Sequence, residues 1–210
     1  MLLIAEEIKK RYSDKPLLEG VSLNIENTDK IGLVGVNGCG KSTFLKILAK
    51  VLDPDSGDVN IIGKTKISYL SQDLNIDTNN TVLKEVLKNT DDKLEAEHIA
   101  RSILSKLELN DYDKLISDLS GGEKRKVALA CSLVKECDLL ILDEPTNHLD
   151  SDMIEWLEKY LIKFNKALIM VTHDRYFLER VVNKIVELEN GNLFEYEANY
   201  SKYLILKEER

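Results

Sequence analysis

The sequence predicts an α/β fold in which helices cover a mostly buried sheet, and three observations support this prediction. Short β-rich segments alternate along the chain with segments of helical periodicity. Residues 138–143 are nearly all apolar, as expected for a strand that is covered on both faces. Residues 30–35 have the pattern of a buried strand that enters a glycine-rich loop, and a helical pattern at 41–52 follows this loop. We therefore expect residues 1–210 to form one α/β domain.

The other elements follow from periodicity and turn composition. Residues 2–8 and 21–25 alternate apolar and polar side chains, which predicts half-exposed strands, and residues 53–57 have the composition of a turn. From about residue 73 to 118 the pattern becomes helical with many charges on one face, which predicts a small helical subdomain. The remaining expected elements are a helix at 121–134, strands at 167–172 and 184–188, and an amphipathic helix near 199–210. Because this last pattern stops without a cap, we expect the natural chain to continue beyond it.

Composition and charge limit the classes of function. With 43% hydrophobic and 31% charged residues, the chain is ordinary for a globular protein with one core. No apolar run approaches the roughly 20 residues that span a bilayer, and Glu6 lies too near the start for a secretory signal. Cys39, Cys131 and Cys137 have neither metal-ligand nor disulfide spacing, so a reducing cytoplasm is the expected location. The net charge of −8 gives no general attraction to nucleic acid, so such a contact would need a local basic surface or a segment outside this chain.

A phosphate-binding loop is the clearest motif. Residues 35–42, Gly-Val-Asn-Gly-Cys-Gly-Lys-Ser, match G-x-x-x-x-G-K-[ST] between an expected strand and an expected helix. Glycines let the backbone wrap closely around a polyphosphate, and the helix start adds its positive end. Lys41 is expected to bridge the terminal phosphates and Ser42 to complete a Mg²⁺ shell. A plain glycine turn is the alternative, which the strand–loop–helix context disfavours. The expected nucleotide contacts in this loop are Gly35, Asn37, Gly38, Cys39, Gly40, Lys41, Ser42 and Thr43, of which Cys39 has no role beyond its small size.

Two acids follow the apolar strand. Asp143 and Glu144 would lie at the carboxyl end of that strand, where an open α/β sheet holds its ligand. Asp143 is expected to hold Mg²⁺, directly or through water, and Glu144 to accept a proton from the water that attacks the γ-phosphate. Two acids after a strand are usually a solvated turn, and it is the upstream loop that favours a catalytic role.

A second helix start contains two glycines. In residues 119–123, Leu-Ser-Gly-Gly-Glu, Ser120 and Glu123 form the S-x-x-E capping box that begins many helices. Two glycines in a first turn are costly for a plain helix, but they suit a backbone that must approach another molecule. Exposed N–H groups at the positive end of a helix are suited to a phosphate.

With the loop and the two acids, residues 119–123 resemble the signature motif of ABC ATPases, and the other motifs of that family occur in the expected order. The resemblance implies a P-loop NTPase of ABC type with a mixed β core, which binds ATP with Mg²⁺ and hydrolyses ATP. It implies that Gln72 is the Q-loop glutamine, that Tyr12 stacks on adenine, and that His173 contacts the γ-phosphate. The implied metal ligands are Ser42, Gln72 and Asp143, and the implied catalytic residues are Lys41, Glu144 and His173. The residues implied to act in trans, on the nucleotide of a second ABC domain, are Ser120, Gly121, Gly122 and Asp150.

Residues 144–150, Glu-Pro-Thr-Asn-His-Leu-Asp, resemble the hallmark of ABC-F proteins, soluble ATPases that act on the ribosome, and residues 173–178 and 199–203 also resemble that group. The resemblance implies the first of two ATPase domains, with an interdomain linker helix that starts at about 199–210. It also implies a cytoplasmic protein that acts with the ribosome, where it contacts rRNA and tRNA. Direct insertion into a membrane is not expected. Many ABC-F first domains carry a long helical arm before the signature, whereas the interval 73–118 has only the size of the ordinary helical subdomain.

Several alternatives stay open at this point. The chain could be the ATPase subunit of an ABC membrane transporter, or a regulatory module that binds ATP without turnover, although Glu144 and His173 argue against the latter. In isolation it could form a head-to-tail homodimer. Tyr12 could be an ordinary strand-edge aromatic, and stacking on its ring would accept ATP and GTP alike, so ATP follows from the resemblance. Trp156 is expected in the core and His98 on a solvated helix face.

Overall fold

The computed structural model describes residues 1–12, 15–91 and 93–210; Ser13, Asp14 and Asp92 lie outside the described residues. The strands are β1 Leu3–Tyr12, β2 Lys15–Ile25, β3 Lys30–Val34, β4 Ser56–Ile61, β5 Ile67–Leu70, β6 Leu139–Asp143, β7 Ala167–Val171, β8 Lys184–Glu189 and β9 Asn192–Tyr196. The helices are α1 Lys41–Leu48, α2 Val82–Val86, α3 Lys93–Lys106, α4 Gly121–Val134, α5 Ser151–Lys163, α6 Arg175–Val181 and α7 Tyr200–Glu209, with a 3₁₀ turn at Ile116–Asp118.

Two sheets form the β core. The larger has the order β5-β6-β7-β3-β8-β9 and is parallel except for β9, which runs antiparallel to β8. The smaller is antiparallel with the order β2-β1-β4. The expected mixed β core is therefore confirmed. Because parallel strands end at the same sheet edge, this order places the segments that follow β5, β6, β7 and β3 side by side.

The large sheet is buried on both faces, as the apolar run predicted. Along β6, Leu139 and Ile141 pack into one hydrophobic cluster with α1 and the small sheet. Leu140 and Leu142 pack into the other cluster with α4, α5 and α6. Successive strand residues point to opposite faces, so a strand between two cores must be apolar throughout. Asp143 ends this strand and is as inaccessible as the apolar residues before it.

The helical region between β5 and α4 contains α2, α3 and the 3₁₀ turn, and it packs on α4. The segment after α3 returns to α2 through a bridge between Thr81 and Leu115. The helical region expected at about 73–118 thus contains two helices, a 3₁₀ turn and a returning loop. Glu108 has φ 59°, a left-handed conformation that ends the helical path after α3.

Three strands were missed and one helix is shorter than expected. β4 begins at Ser56, inside the expected turn, because it pairs with β1. β5 and β9 form the two edges of the large sheet and were not predicted. Helix α1 ends at Leu48 rather than 52, since Lys50 adopts φ 57°.

The last helix, α7, lies against the carboxyl end of β8. The Tyr203 hydroxyl donates a hydrogen bond of 2.9 Å to the buried carboxylate of Glu187. Lys207 and Arg210 form ion pairs with the same carboxylate and with Glu189. Across the described ranges, no helix is long and apolar enough to cross a bilayer.

Candidate nucleotide-binding site

A cleft of about 520 Å³ opens where the segments after β3, β5, β6 and β7 meet. It brings together most residues that the motifs had singled out, although they are spread along the whole chain. Those that line it are Tyr12, Asn37, Gly38, Gly40, Lys41, Ser42, Thr43, Gln72, Glu144 and His173. The shared edge of the large sheet explains most of this, since Asn37, Gly38 and Gly40 follow β3, Gln72 follows β5, Glu144 follows β6 and His173 follows β7. Lys41, Ser42 and Thr43 begin α1, and Tyr12 ends β1 of the small sheet.

The first glycine of the loop is required by packing. A Cβ at Gly35 would lie 2.4 Å from the Leu188 carbonyl oxygen and 2.8 Å from Cys39 Sγ. The Cys39 side chain is partly buried against the core behind the loop, which explains why a small residue is needed there. Gly40 has φ 111° and precedes α1 as its N-cap. Because Gly40 has no side chain, the first N–H groups of α1 face the cleft without a side-chain cap, as a phosphate site requires.

The Lys41 ammonium is held at the mouth of the loop. Its Nζ donates hydrogen bonds of 2.9 Å to the carbonyl oxygens of Gly35 and Val36. These contacts fix the position of a positive charge beside the helix start, where both would attract the terminal phosphates of a nucleotide.

Asp143 lies beneath the cleft with 0% exposure. Neither of its carboxylate oxygens has a hydrogen bond of ordinary geometry within the described residues. Burial raises the pKa of Asp143, while the nearby Ser42 hydroxyl and Arg125 guanidinium lower it. A buried carboxylate beside a serine hydroxyl offers oxygen ligands of the kind that Mg²⁺ prefers, so these residues fit Mg²⁺. No group of three or more His, Cys, Asp or Glu in the described chain could hold a metal by itself, so the remaining ligands would be Ser42, Gln72 and phosphate oxygens.

Glu144 combines backbone strain with a perturbed carboxyl group. It has φ 53°, a conformation uncommon outside glycine, and its N–H donates to the Val171 carbonyl oxygen at 2.9 Å. Oε1 lies 3.2 Å from His173 Nε2. Burial raises the pKa of Glu144, and the neighbouring His173 opposes that shift. A raised pKa makes the carboxylate a better proton acceptor near neutral pH.

Two hydroxyl groups join the loops that carry Glu144 and His173. Thr146 Oγ1 and Thr172 Oγ1 are 3.0 Å apart, and the Asp174 N–H donates to Thr172 Oγ1 at 3.2 Å. This link holds the segment after β6 against the segment after β7, so that the carboxylate and the imidazole stay in contact.

Comparison with known proteins identifies the family. Residues 18–147, more than half of the chain, match the family described as ABC transporter. The chain belongs to this family. It is 38% identical to the uncharacterized ABC transporter ATP-binding protein YfmR of Bacillus subtilis, with 100% of this chain and 39% of the relative covered. It is 36% identical to the energy-dependent translational throttle protein EttA of Escherichia coli K12, with 92% and 42% covered. For ABC transporter F family member 5 of Arabidopsis thaliana the identity is 35%, with 97% and 36% covered.

The chain thus spans about two fifths of the length of these relatives. Solved structures agree on the fold. The ATP-binding subunit of an ABC transporter has a TM-score of 0.86 at 22% identity, with 99% of this chain and 100% of that chain covered. The dimeric post-hydrolysis ATP-binding cassette MJ0796, bound to ADP and Pi, has a TM-score of 0.78 at 24% identity, with 93% and 98% covered. The ABC-type fold, the ATPase family and the resemblance to ABC-F proteins are therefore confirmed.

In this ABC domain, Tyr12 and Gln72 both line the cleft. Tyr12 is 53% exposed and ends β1 beside the cleft. His98 is exposed on α3, and Trp156 packs against the core beside Tyr160, both as expected from the sequence.

The residues expected to act in trans lie outside the cleft of their own ABC domain, at the starts of α4 and α5. The capping box is present: Ser120 Oγ accepts from the Glu123 N–H at 3.2 Å, and Glu123 Oε2 accepts from the Ser120 N–H at 2.8 Å. Asp150 likewise caps α5 by accepting from the Met153 N–H at 3.0 Å. The cap does not explain the glycines, because a Cβ at Gly121 would meet nothing within 4 Å, and one at Gly122 only His148 Cβ at 3.8 Å.

Arg125 of α4 borders the site and was not predicted from the sequence. Its side chain is 7% exposed and donates to the carbonyl oxygens of Ser71, Gln72 and Asp143. The helical period contained a signal, since Arg125 lies on the same stripe as the buried Leu129 and Leu133. A charged residue on an otherwise apolar stripe indicates a buried partner.

Proposed function

We propose that this domain binds Mg-ATP in the cleft and hydrolyses it while closing head-to-tail on a second ABC domain. One observation carries the proposal. Lys41, Glu144 and His173 meet in a single cleft, whereas the glycines at the start of α4 lie outside it. The nucleotide site of one domain is therefore suited to completion by the helix start of another.

Each residue has a distinct role in this reaction. The loop amides and Lys41 hold the phosphates, and Tyr12 stacks on the adenine ring. Mg²⁺, which Ser42, Gln72 and Asp143 would hold, neutralises charge on the phosphate oxygens when bound. Glu144 takes a proton from the attacking water. His173 holds the Glu144 carboxylate through their 3.2 Å contact and reaches the γ-phosphate.

Closure depends on the charge of the γ-phosphate. The N–H groups of Gly121 and Gly122 and the positive end of α4 attract a phosphate on the facing domain, with Ser120 and Asp150 beside it. Hydrolysis removes this attraction, so the closed state is favoured only while ATP is intact. The partner is a second ABC domain of a longer chain or a second copy of this one.

In the cell, we propose an ABC-F factor that acts on the ribosome. Residues 144–150 carry the Glu-Pro-Thr-Asn-His-Leu-Asp sequence, and similar proteins include a translational throttle protein and an ABC-F family member. Helix α7 would begin the linker to the second domain, and the rRNA and tRNA contacts would come from outside the acidic surface of this domain. A cytoplasmic location without membrane insertion follows from this role.

A transporter ATPase subunit is the second candidate, because one feature favours it. A groove of about 640 Å³ lies between α1, the end of β5 and the helices α2 and α4, next to the Q-loop. Leu74 and Ile76 line this groove, which has room for a segment of a membrane protein.

Phosphate release and co-sedimentation test both proposals. Lys41→Ala should lose ATP binding by calorimetry, whereas Lys163→Ala, which changes an exposed lysine far from the cleft, should bind normally.

Glu144→Gln should retain ATP affinity, lose turnover by about 10²- to 10⁴-fold, and accumulate the closed pair. With ATP, the full-length Glu144→Gln protein should sediment with ribosomes. Normal turnover of Glu144→Gln contradicts the catalytic assignment, and recovery with a membrane protein instead of ribosomes contradicts the ABC-F role.

A further inference from the structure

We propose that Arg125 is a positioning residue that connects the signature helix α4 with the magnesium side of the nucleotide site. The proposal rests on the proposed function, because the two ends that Arg125 would join are assigned there. According to the proposal, Arg125 links two parts of one domain: the site for the nucleotide of that domain, and the helix start that contacts the nucleotide of the partner domain.

The contacts of Arg125 join three segments. Its Nη1 donates to the carbonyl oxygens of Ser71 at 2.5 Å and Gln72 at 2.8 Å, and its Nη2 donates to the carbonyl oxygen of Asp143 at 2.6 Å. Strands β5 and β6 are neighbours, and their chains separate after Leu70 and Asp143. The guanidinium fills the gap between the separating chains. It therefore fixes the backbone of two residues whose side chains are assigned to the magnesium ion.

The other end of the link is the signature. Arg125 follows Gly121 by four residues, slightly more than one helical turn, so the two move together as parts of one rigid helix. When α4 moves to meet a phosphate on the facing domain, the guanidinium must move with it, and the carbonyl groups of Gln72 and Asp143 follow. Closure of α4 on the nucleotide of the facing domain therefore also shifts the two residues that would hold magnesium in this domain.

The chemistry of arginine suits this role. A guanidinium is planar and presents several N–H donors in fixed directions, so one group can bind two diverging loops at once. A lysine ammonium at the same position has a single nitrogen on a flexible stem and cannot reproduce this geometry. Since the Arg125 side chain is 7% exposed, water cannot readily replace the lost contacts.

The same helix supplies a matched control. Lys135 follows the last turn of α4, and its Nζ donates to the Ile67 carbonyl oxygen at 3.0 Å, at the beginning of β5. It thus joins the same helix to the same strand through a cation and a carbonyl group, but at the end away from the cleft. Lys135→Met removes this link without touching the segments that Arg125 holds.

The first measurement needs no nucleotide. Hydrogen exchange of the ligand-free protein should be at least about tenfold faster at the amides of Asp73, Glu144 and Asn147 in Arg125→Lys, because these amides donate hydrogen bonds in the two segments that Arg125 holds, and loss of its contacts should make local opening more frequent. Lys135→Met should leave these amides unchanged. Equal exchange in Arg125→Lys and wild type would overturn the proposal whether or not the protein hydrolyses ATP. Failure of Arg125→Lys to fold where Lys135→Met folds would also overturn it, since the contacts would then hold the fold and not the site.

The second measurement is turnover. Arg125→Lys should lower kcat by about 10- to 100-fold, as is typical when an outer-shell partner of a metal ligand is lost. It should also raise the Mg²⁺ concentration for half-maximal rate, while KM for ATP changes less than about threefold because the loop and Tyr12 are intact. Unchanged kcat and Mg²⁺ dependence, or equal losses in Lys135→Met, would overturn the proposal. If the wild-type protein does not bind ATP, the proposed function is contradicted. Faster exchange in Arg125→Lys would then still support the role of Arg125 in positioning residues after β5 and β6.

Discussion

Replacing Gly121 by alanine separates the requirements of the fold from those of the proposed contact with a nucleotide on a second domain. Gly121 is the first residue of α4, and a Cβ built on it meets no atom within 4 Å. Because alanine favours a helix over glycine and restricts the unfolded chain, Gly121→Ala should stabilise the domain by about 0.5–1 kcal/mol. For a chain of 210 residues, that free energy corresponds to a rise in Tm of about 1–4 °C.

Turnover should change in the opposite direction. The added methyl group would lie on the open side of the helix start, where the proposed partner phosphate must approach the N–H groups. Loss of one well-placed donor to a developing charge typically costs about 10²- to 10³-fold in rate, and we expect Gly121→Ala to lose at least about 10²-fold. A more stable but inactive variant is the distinctive outcome.

Three assays follow the variant. Thermal melting gives the change in stability, phosphate release gives turnover, and size-exclusion chromatography in the Glu144→Gln background measures the ATP-dependent closed pair. Lys93→Ala alters the exposed first residue of α3 and should change neither turnover nor pairing. Full activity of Gly121→Ala at raised Tm would refute the trans role of this glycine. A lowered Tm would refute the inference that the fold tolerates a side chain there.

Three further predictions concern the cleft itself. Gly35→Ala should destabilise the domain by about 1–3 kcal/mol in thermal unfolding and abolish ATP binding in calorimetry, because its Cβ would lie 2.4 Å from the Leu188 carbonyl oxygen. Gly38 also has a positive φ, 77°, but its Cβ would meet nothing within 4 Å, so Gly38→Ala should destabilise the domain less. Equal destabilisation by the two variants would contradict the packing argument. Turnover should fall as the pH drops through a Glu144 pKa raised above its ordinary 4.5, since protonation removes the proton acceptor, whereas the residual rate of Glu144→Gln should lack this step. The same raised pKa means that the folded state binds the proton of Glu144 more tightly than the unfolded state does. The contribution of Glu144 to the free energy of unfolding should therefore grow as the pH falls from above its folded-state pKa towards its unfolded-state pKa.

Much of the candidate site could be predicted from local sequence, because its chemistry lies in short motifs. The phosphate loop needs glycines at fixed spacing before a helix, and Asp143 and Glu144 follow a strand whose apolar run is unmistakable. Those constraints act within a few residues, so the order of amino acids is enough to reveal them. The helix at α4 and the strands β3, β6, β7 and β8 were predictable for the same reason.

Long-range contacts set what remained hidden. The edge strands β5 and β9 and the strand β4 have a weak sequence pattern, and pairing with neighbouring strands holds them in place. The helical period indicates that Arg125 is buried, but its partners, the carbonyl groups of Gln72 and Asp143, come from two diverging strands and are set by the tertiary structure. The left-handed backbone of Glu144 is likewise imposed by its surroundings, through the hydrogen bond to Val171 and the contact with His173. The residues of a motif are close together in sequence and can therefore be predicted from it. Their positions relative to the other site residues depend on contacts between segments distant in sequence, which form only when the whole sheet is packed.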